Sequence, residues 1–173
     1  GGRAGAGADG RAGPRARRGG VRVPRAGFAV AGHGEGAAGG LTGVRLEVRL
    51  QVLPGRPTVV LDVAHNPQAA RALAQGLGEM GYAGNTIAVF AMLADKDIGA
   101  VVDALSPRVD RWHVATVANE RAATVSAVAA ILAARGLADR TRAFATVPLA
   151  YEAALREAGP GDRILVFGSF LTV

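Results

Sequence analysis

The polar residues best suited to chemistry in this sequence form three short groups. In the first, a carboxylate, an imidazole and an amide follow the pattern D-x-x-H-N-P, whose Asn-Pro pair is typical of a helix N-terminus. A helix start favours phosphate oxygens, because its first amides point outward and carry partial positive charge. The first group therefore predicts a site for a phosphate-bearing ligand. The three groups are Asp62, His65 and Asn66, then Asp95, Lys96 and Asp97, then Gly168 and Ser169.

Apolar runs typical of buried strands precede all three groups, and helical patterns separate the runs. The order of a strand and a helix four times, then a last strand, predicts a doubly wound α/β fold. This is a mostly parallel sheet with helices on both faces. Because ligands bind beyond the carboxyl ends of such strands, the three polar groups should share one edge. The predicted strands cover residues 58–63, 86–92, 112–117, 141–147 and 164–167, with a possible leading strand over 46–53.

Each polar residue also has a structural explanation, and the sequence leaves both open. Asp62 could order its loop, and His65 could be a hydrogen-bonded turn residue. Asn66 should cap its helix in either case. Either aspartate of the second group could cap the next helix, leaving Lys96 as a solvated charge. If Asp62 contacts a ligand, we expect its side chain to point into the crevice and to bear little packing load.

Length and composition limit the possible classes of function. The 173 residues suffice for one compact domain with a core, and half of them are apolar. The absence of cysteine excludes a disulfide scaffold, a cysteine-based zinc site and a thiol nucleophile. No apolar run approaches the roughly 20 residues that span a bilayer. Neither His33 nor His113 has partners at metal-ligand spacing, so no metal site is predicted.

The net charge of +6 is concentrated near the start of the chain. Residues 1–43 carry seven arginines, two acids and 15 of the 25 glycines. This stretch has few apolar side chains, so their burial cannot offset the entropy that would be lost by ordering so many glycines. We therefore predict that residues 1–43 are disordered or poorly packed and that residues 44–173 form the domain. Since GC-rich codons encode Gly, Ala, Arg and Pro, the stretch to about residue 48 could instead be a mistranslated lead.

Three functional interpretations of residues 1–43 are weaker. The arginines of residues 15–18 could form a nucleic-acid arm, but no aromatic side chains interleave for base stacking. The pair Arg17-Arg18 could belong to an export signal, but the apolar stretch at 26–31 is short. The glycines of residues 34–39 match G-x-G-x-x-G, but further glycines follow instead of a helix. We therefore expect no nucleic-acid partner.

Three segments of the predicted domain resemble the folylpolyglutamate synthase/dihydrofolate synthase family of the Mur ligase superfamily. They occur in the family's order, and the resemblance runs from about residue 49 to the end, which corresponds to the family's C-terminal domain. The D-x-A-H-N-P pattern alone would indicate only the superfamily, whereas the three segments together indicate the family. They are residues 61–67 (LDVAHNP), 91–97 (AMLADKD) and 166–173 (VFGSFLTV).

The resemblance implies an ATP-dependent ligase that joins L-glutamate to a pteroate or folate through an acyl phosphate. It places Arg49 and Asp62 against ATP, and His65 beside the phosphates as the candidate catalytic residue. We add Asn66 to the ATP-binding set, and treat Asp95, Lys96, Asp97 and Ser169 as a possible site loop. The arginine belongs to Arg49-Leu50-Gln51, which matches a family Arg-Phe-Gln, although Glu47-Val48 precedes it where the family has Pro-Gly.

The expected cofactors are ATP and Mg²⁺, and the expected partners are ATP, L-glutamate and a folate or dihydropteroate. The family's metal ligands and its Gly-Lys phosphate loop lie in an N-terminal domain. The single lysine here, Lys96, follows an aspartate and not a glycine. We therefore expect a cytoplasmic fragment that is inactive until it is joined to that domain, without a membrane partner. The alternative is a stand-alone nucleotide-binding or interaction module without catalysis.

Overall fold

The structure, a computed structural model, describes residue 1, residues 50–81 and residues 84–173. Four helices and a six-stranded sheet make up this part of the chain. The strands are β1 (Gln51–Leu53), β2 (Thr58–Leu61), β3 (Thr86–Phe90), β4 (Arg111–Val114), β5 (Thr141–Ala143) and β6 (Arg163–Phe167). The helices are α1 (Pro67–Glu79), α2 (Ile98–Leu105), α3 (Val125–Ala133) and α4 (Val147–Glu157).

The strand order in the sheet is β1-β2-β6-β3-β4-β5. Strands β2 to β6 all pair in parallel, and β1 pairs antiparallel with β2. Alternate residues of the central strands enter two separate cores, one packed against α1, α2 and α3 and the other against α4. The predicted α/β fold with helices on both faces is confirmed.

Side chains at the helix starts explain where the helices begin. Asn66, Asp97, Thr124 and Thr146 each accept a hydrogen bond from the backbone amide three residues later. Such a cap satisfies an amide that has no partner inside the helix. Two of these four caps, Asn66 and Asp97, are also candidate site residues, so their position at the sheet edge follows from the helices they start.

Three aromatic rings fill the core beneath the carboxyl edge of the sheet. Phe90 and Phe167 are neighbours in the β3–β6 register and stack with ring centroids 4.7 Å apart. Trp112 packs edge-on against Phe90, with centroids 5.7 Å apart. Trp112 is the single tryptophan of the sequence and is fully buried. Its fluorescence should therefore report the unfolding of this domain.

Four of the predicted strands extend past the observed ones at their carboxyl ends. The strand predicted over 86–92 ends at Phe90, yet Ala91 and Met92 remain fully buried. Loop residues at this edge of the sheet are themselves buried. The length of an apolar run therefore overestimates the number of residues that pair in the strand. The strand predicted over 141–147 is wrong beyond Ala143, because Thr146 and Val147 begin α4.

Several predictions fall on residues that the structure does not describe. They concern residues 1–43, the boundary at residue 44, and Arg49. Of the leading strand predicted over 46–53, residues 51–53 are observed as β1. Among the described residues, no helix is long and apolar enough to cross a membrane.

Candidate functional site

The three polar groups lie on loops at one edge of the sheet. Strands β2, β6 and β3 are adjacent and parallel, so the loops that follow them begin side by side. A cavity of about 210 Å³, here called the edge cavity, lies between these loops. Residues from all three groups contribute to its lining, so the structure brings the groups together. It is lined by His65, Leu93, Lys96, Gly168, Ser169, Phe170 and Leu171.

A second cavity of about 270 Å³, here called the α1 cavity, lies between the loop after β2 and helix α1. Asp62, His65 and Asn66 contribute to its lining, together with residues of α1 that include Leu73 and Gly76. His65 borders both cavities. The imidazole is therefore the side chain that connects the two candidate binding spaces.

The Asp62 carboxylate orders its own loop as well as lining a cavity. Its side chain lines the α1 cavity, as expected, but the residue is only 7% exposed. Its Oδ1 accepts a hydrogen bond of 2.7 Å from the backbone amide of Ala64. Burial raises the pKa of the carboxyl, and the bond from Ala64 only partly offsets this. The expectation that Asp62 bears little structural load is corrected, because the carboxylate holds the turn that presents His65.

We expect Asp62→Asn to be at least as stable as the wild type at neutral pH, and Asp62→Ala to be less stable by about 1–3 kcal/mol. The asparagine keeps an oxygen for the Ala64 amide, whereas alanine leaves that buried amide without its partner. Urea unfolding followed by Trp112 fluorescence measures both variants.

The pH dependence of the same pair tests the role of burial. Burial raises the native pKa of Asp62 above 3.8, so the ionised carboxylate costs stability that the asparagine variant does not lose. Relative to Asp62→Asn, the wild type should lose stability as the pH rises from about 3.8 through the native pKa. A difference between the two proteins that does not change with pH would contradict this account.

His65 is held by its own loop in one orientation. Its Nδ1 lies 2.9 Å from the carbonyl oxygen of Val63. A carbonyl can only accept, so Nδ1 carries the hydrogen and donates it. In the neutral ring, Nε2 is then the atom available to a ligand. His65 can therefore hold its turn through Nδ1 and still contact a ligand through Nε2.

Asn66 acts as the cap of α1. Its Oδ1 accepts a hydrogen bond of 2.9 Å from the amide of Ala69. Asp97 does the same for α2, since its Oδ1 accepts from the amide of Ala100 at 2.9 Å. In both residues, helix capping therefore occupies the Oδ1 atom of the side chain.

Asp95 and Lys96 belong to a three-membered charge cluster. The Asp95 Oδ2 atom lies 3.3 Å from the Lys96 ammonium and 2.6 Å from the guanidinium of Arg121. Burial opposes ionisation of Asp95, but hydrogen bonds from Lys96 and Arg121 outweigh it and lower the pKa of the carboxyl. Sequence reasoning missed Arg121, because the residue belongs to no motif and lies 26 positions from its partner.

Ser169 builds the turn after β6. Its Oγ accepts a hydrogen bond from the amide of Leu171 at 3.1 Å and lies 3.0 Å from the Thr172 Oγ1. Thr172 donates its own hydroxyl hydrogen to the carbonyl of Ala91 at 2.9 Å, so Ser169 is the donor between the two hydroxyls. The serine hydroxyl is thus committed to the loop, although the residue lines the edge cavity.

The described residues offer no ligand set for a metal. No three His, Asp or Glu side chains within this part of the chain lie close enough to hold a metal ion. His113 is fully buried and contacts the Ala150 carbonyl and the Glu157 carboxylate, away from the edge cavity.

Comparison with known proteins identifies the family. Residues 45–170 match the Mur ligase glutamate ligase domain. The chain belongs to this family. The resemblance inferred from the three segments is confirmed, and the match covers the loops after β2 and β3 and the first residues of the loop after β6.

Two relatives of this Mur ligase domain are named dihydrofolate synthase/folylpolyglutamate synthase. The protein from Escherichia coli is 35% identical over 134 residues, which cover 78% of this chain and 30% of that protein. The protein from Buchnera aphidicola of the pea aphid Acyrthosiphon pisum is 35% identical over 133 residues, covering 77% and 31%. The Mur ligase domain thus spans about 30% of the length of these relatives.

Solved structures agree with this assignment. A bifunctional folylpolyglutamate synthase/dihydrofolate synthase with Mn, AMPPNP and L-glutamate bound matches with a TM-score of 0.66 and 39% identity. The match covers 74% of this chain and 30% of that one. An Escherichia coli relative in complex with DHPP and ADP matches with a TM-score of 0.65 and 35% identity, covering 73% and 29%.

Proposed function

We propose that this domain forms one side of the active site of an ATP-dependent ligase that joins L-glutamate to a folate or pteroate carboxylate. The convergence of His65 and Lys96 on the edge cavity, from loops after different strands, carries the proposal. The solved relative that holds both AMPPNP and L-glutamate supports a site for a nucleotide and an amino acid.

The chemistry requires positive charge and oriented donors near developing phosphate charge. A phosphoryl group passes from ATP to a carboxylate oxygen, and the glutamate nitrogen then attacks the acyl carbon as phosphate leaves and the nitrogen loses a proton. Lys96 would offset negative charge on the reacting groups, and His65 would direct Nε2 toward them. Leu93, Phe170 and Leu171 make the lining of the edge cavity largely apolar, which strengthens such electrostatic interactions.

Roles for the remaining predicted residues follow from their positions. Asp62 would act chiefly by holding the turn of His65, and Asn66 by starting the helix beside the α1 cavity. The ATP contact of Arg49 stays a prediction. Mg²⁺ would be held by groups other than the described residues, so no step of the proposed reaction is assigned to it here.

A fusion enzyme tests the proposal. The 173-residue chain is joined behind the part of the Escherichia coli relative that it does not match. We expect incorporation of glutamate into a folate or dihydropteroate acceptor by the fusion enzyme. The chain alone should show no turnover and weaker ATP binding, because it can hold the reacting groups from one side only.

Two results would contradict the proposal. One is turnover by the purified chain alone that disappears in His65→Asn. The other is a folded fusion enzyme that binds ATP no more tightly than the chain alone and shows no turnover, which would favour a stand-alone nucleotide-binding module. A fusion carrying the native segment of the Escherichia coli relative is the positive control.

A further inference from the structure

Arg121 lies beside the proposed site without lining either cavity. Its guanidinium Nη2 lies 2.6 Å from Asp95 Oδ2, the same oxygen that Lys96 approaches at 3.3 Å. The guanidinium is therefore the closer partner of this carboxylate. Lys96 is held less tightly, and it also lines the edge cavity.

The backbone around Arg121 is fastened independently of its side chain. The Ala94 amide donates to the Arg121 carbonyl at 2.8 Å, and the Ala123 amide donates to the Met92 carbonyl at 2.9 Å. The Arg121 amide donates to the Asn119 side chain at 2.8 Å. The loop thus runs beside the loop of Asp95, and truncating the arginine leaves these bonds in place.

The ion pair is too exposed to serve stability. The side chains of Arg121 and Asp95 are 66% and 44% exposed, and pairs of this kind contribute little to folding. The ion pair instead sets the net charge of the loops around Lys96. With Arg121 present, the cluster of Asp95, Lys96 and Arg121 has a net charge of +1, and without it the net charge is zero. Asp97 is nearby in sequence, but one of its oxygens caps α2.

We infer that Arg121 is a positioning residue that neutralises Asp95 and so leaves the positive charge of Lys96 available to an anionic group at the edge cavity. The inference rests on the proposed function and takes the carboxylate of the incoming amino acid as that group. Without the guanidinium, Lys96 becomes the only cation on Asp95. The ammonium, which already lies 3.3 Å from Asp95, then has the whole negative charge of that carboxylate beside it, and the positive potential at the edge cavity falls.

Lys96 is the single lysine of the sequence, so the local charge can be measured on the full chain without nucleotide or glutamate. The measurement compares modification of Lys96 by an anionic arylsulfonate reagent and by a neutral acylating reagent, followed by peptide mass spectrometry. Because both reagents react with the same amine, its intrinsic reactivity cancels in the ratio of the two rates. The ratio therefore reports the electrostatic potential at Lys96. We expect Arg121→Ala to lower this ratio about two- to fivefold.

Two further variants make the test specific. Asp95→Asn combined with Arg121→Ala returns the net charge to +1, and the ratio should recover toward the wild-type value. Arg156→Ala removes a surface pair on α4, in which the Arg156 Nη1 lies 3.7 Å from Glu152 Oε2, and should leave the ratio unchanged. An unchanged ratio in Arg121→Ala, or no recovery in the double variant, would overturn the inference.

The fusion enzyme provides the second readout. Arg121→Ala should raise KM for L-glutamate about two- to fivefold and leave kcat nearly unchanged, and Asp95→Asn should reverse the effect. A lower kcat at constant KM, or no effect in an active enzyme, would overturn the role at the site. A wild-type fusion without turnover would contradict the proposed function, whereas the modification ratio would still decide whether Arg121 controls the charge of Lys96.

Discussion

Gly168→Ala is expected to destabilise the domain by at least about 3 kcal/mol. The backbone of Gly168 has a φ of +122°, a conformation that residues with a side chain rarely adopt. A Cβ at this position would lie 2.1 Å from the carbonyl oxygen of Ala91 and 3.1 Å from the ring of Phe90. The backbone of β3 cannot move away, because it pairs on both sides in the centre of the sheet.

The expected loss concerns the site as well as the fold. The loop after β6 crosses the end of β3 at Gly168, and Thr172 hydrogen-bonds the same Ala91 carbonyl that the new methyl would meet. Relief of the clash would therefore displace Ser169 and the lining of the edge cavity. Urea unfolding monitored by Trp112 fluorescence measures the stability loss.

Gly76→Ala is the matched control for this substitution. Gly76 lies within α1, and a Cβ there meets nothing within 4 Å outside its own helix. Alanine favours a helix interior over glycine, so this variant should gain about 0.5–1 kcal/mol. Equal stabilities of the wild type and Gly168→Ala would show that the crossing is looser than the structure indicates.

His65→Asn is expected to lower kcat/KM of the fusion enzyme by about 10²–10³-fold, the usual effect of removing one oriented group beside developing charge. The asparagine amide can still donate to the Val63 carbonyl, the role that Nδ1 has in the wild type. It has no atom at the position of Nε2. The variant therefore separates the part of His65 that holds the turn from the part available to a ligand.

His65→Gln is the complementary variant. A glutamine side chain can place its amide where Nε2 lies, so it should retain more activity than His65→Asn. Both variants should unfold within about 1 kcal/mol of the wild type, because His65 is only partly buried. Full activity in His65→Asn would exclude a direct role for Nε2, and a large loss of stability would return His65 to a structural role.

Local patterns in the sequence predict the helices and strands and most residues of the candidate site. Asn66-Pro67 predicted the start of α1, and the observed cap is the asparagine itself. The apolar stripe of α2 predicted its buried face, and Ile98 and Leu105 are buried there. Caps and stripes are predictable because they depend on residues three or four positions apart. The strand ends were less predictable, because buried loop residues such as Ala91 continue the apolar pattern.

The sequence by itself determined the α/β order and the placement of three polar groups after strands, so their meeting at one edge could be expected. Only the tertiary structure decided which side chains serve the loops and which face the cavities. Ser169 is committed to Leu171 and Thr172, and Gly168 must be a glycine because a strand end 77 positions earlier passes within contact distance. Arg121 joins the site from a loop without a motif. The contact at Gly168 depends on the pairing of β6 with β3, and the position of Arg121 depends on the pairing of β3 with β4. Contacts between residues so distant along the chain leave no periodic signal in the sequence.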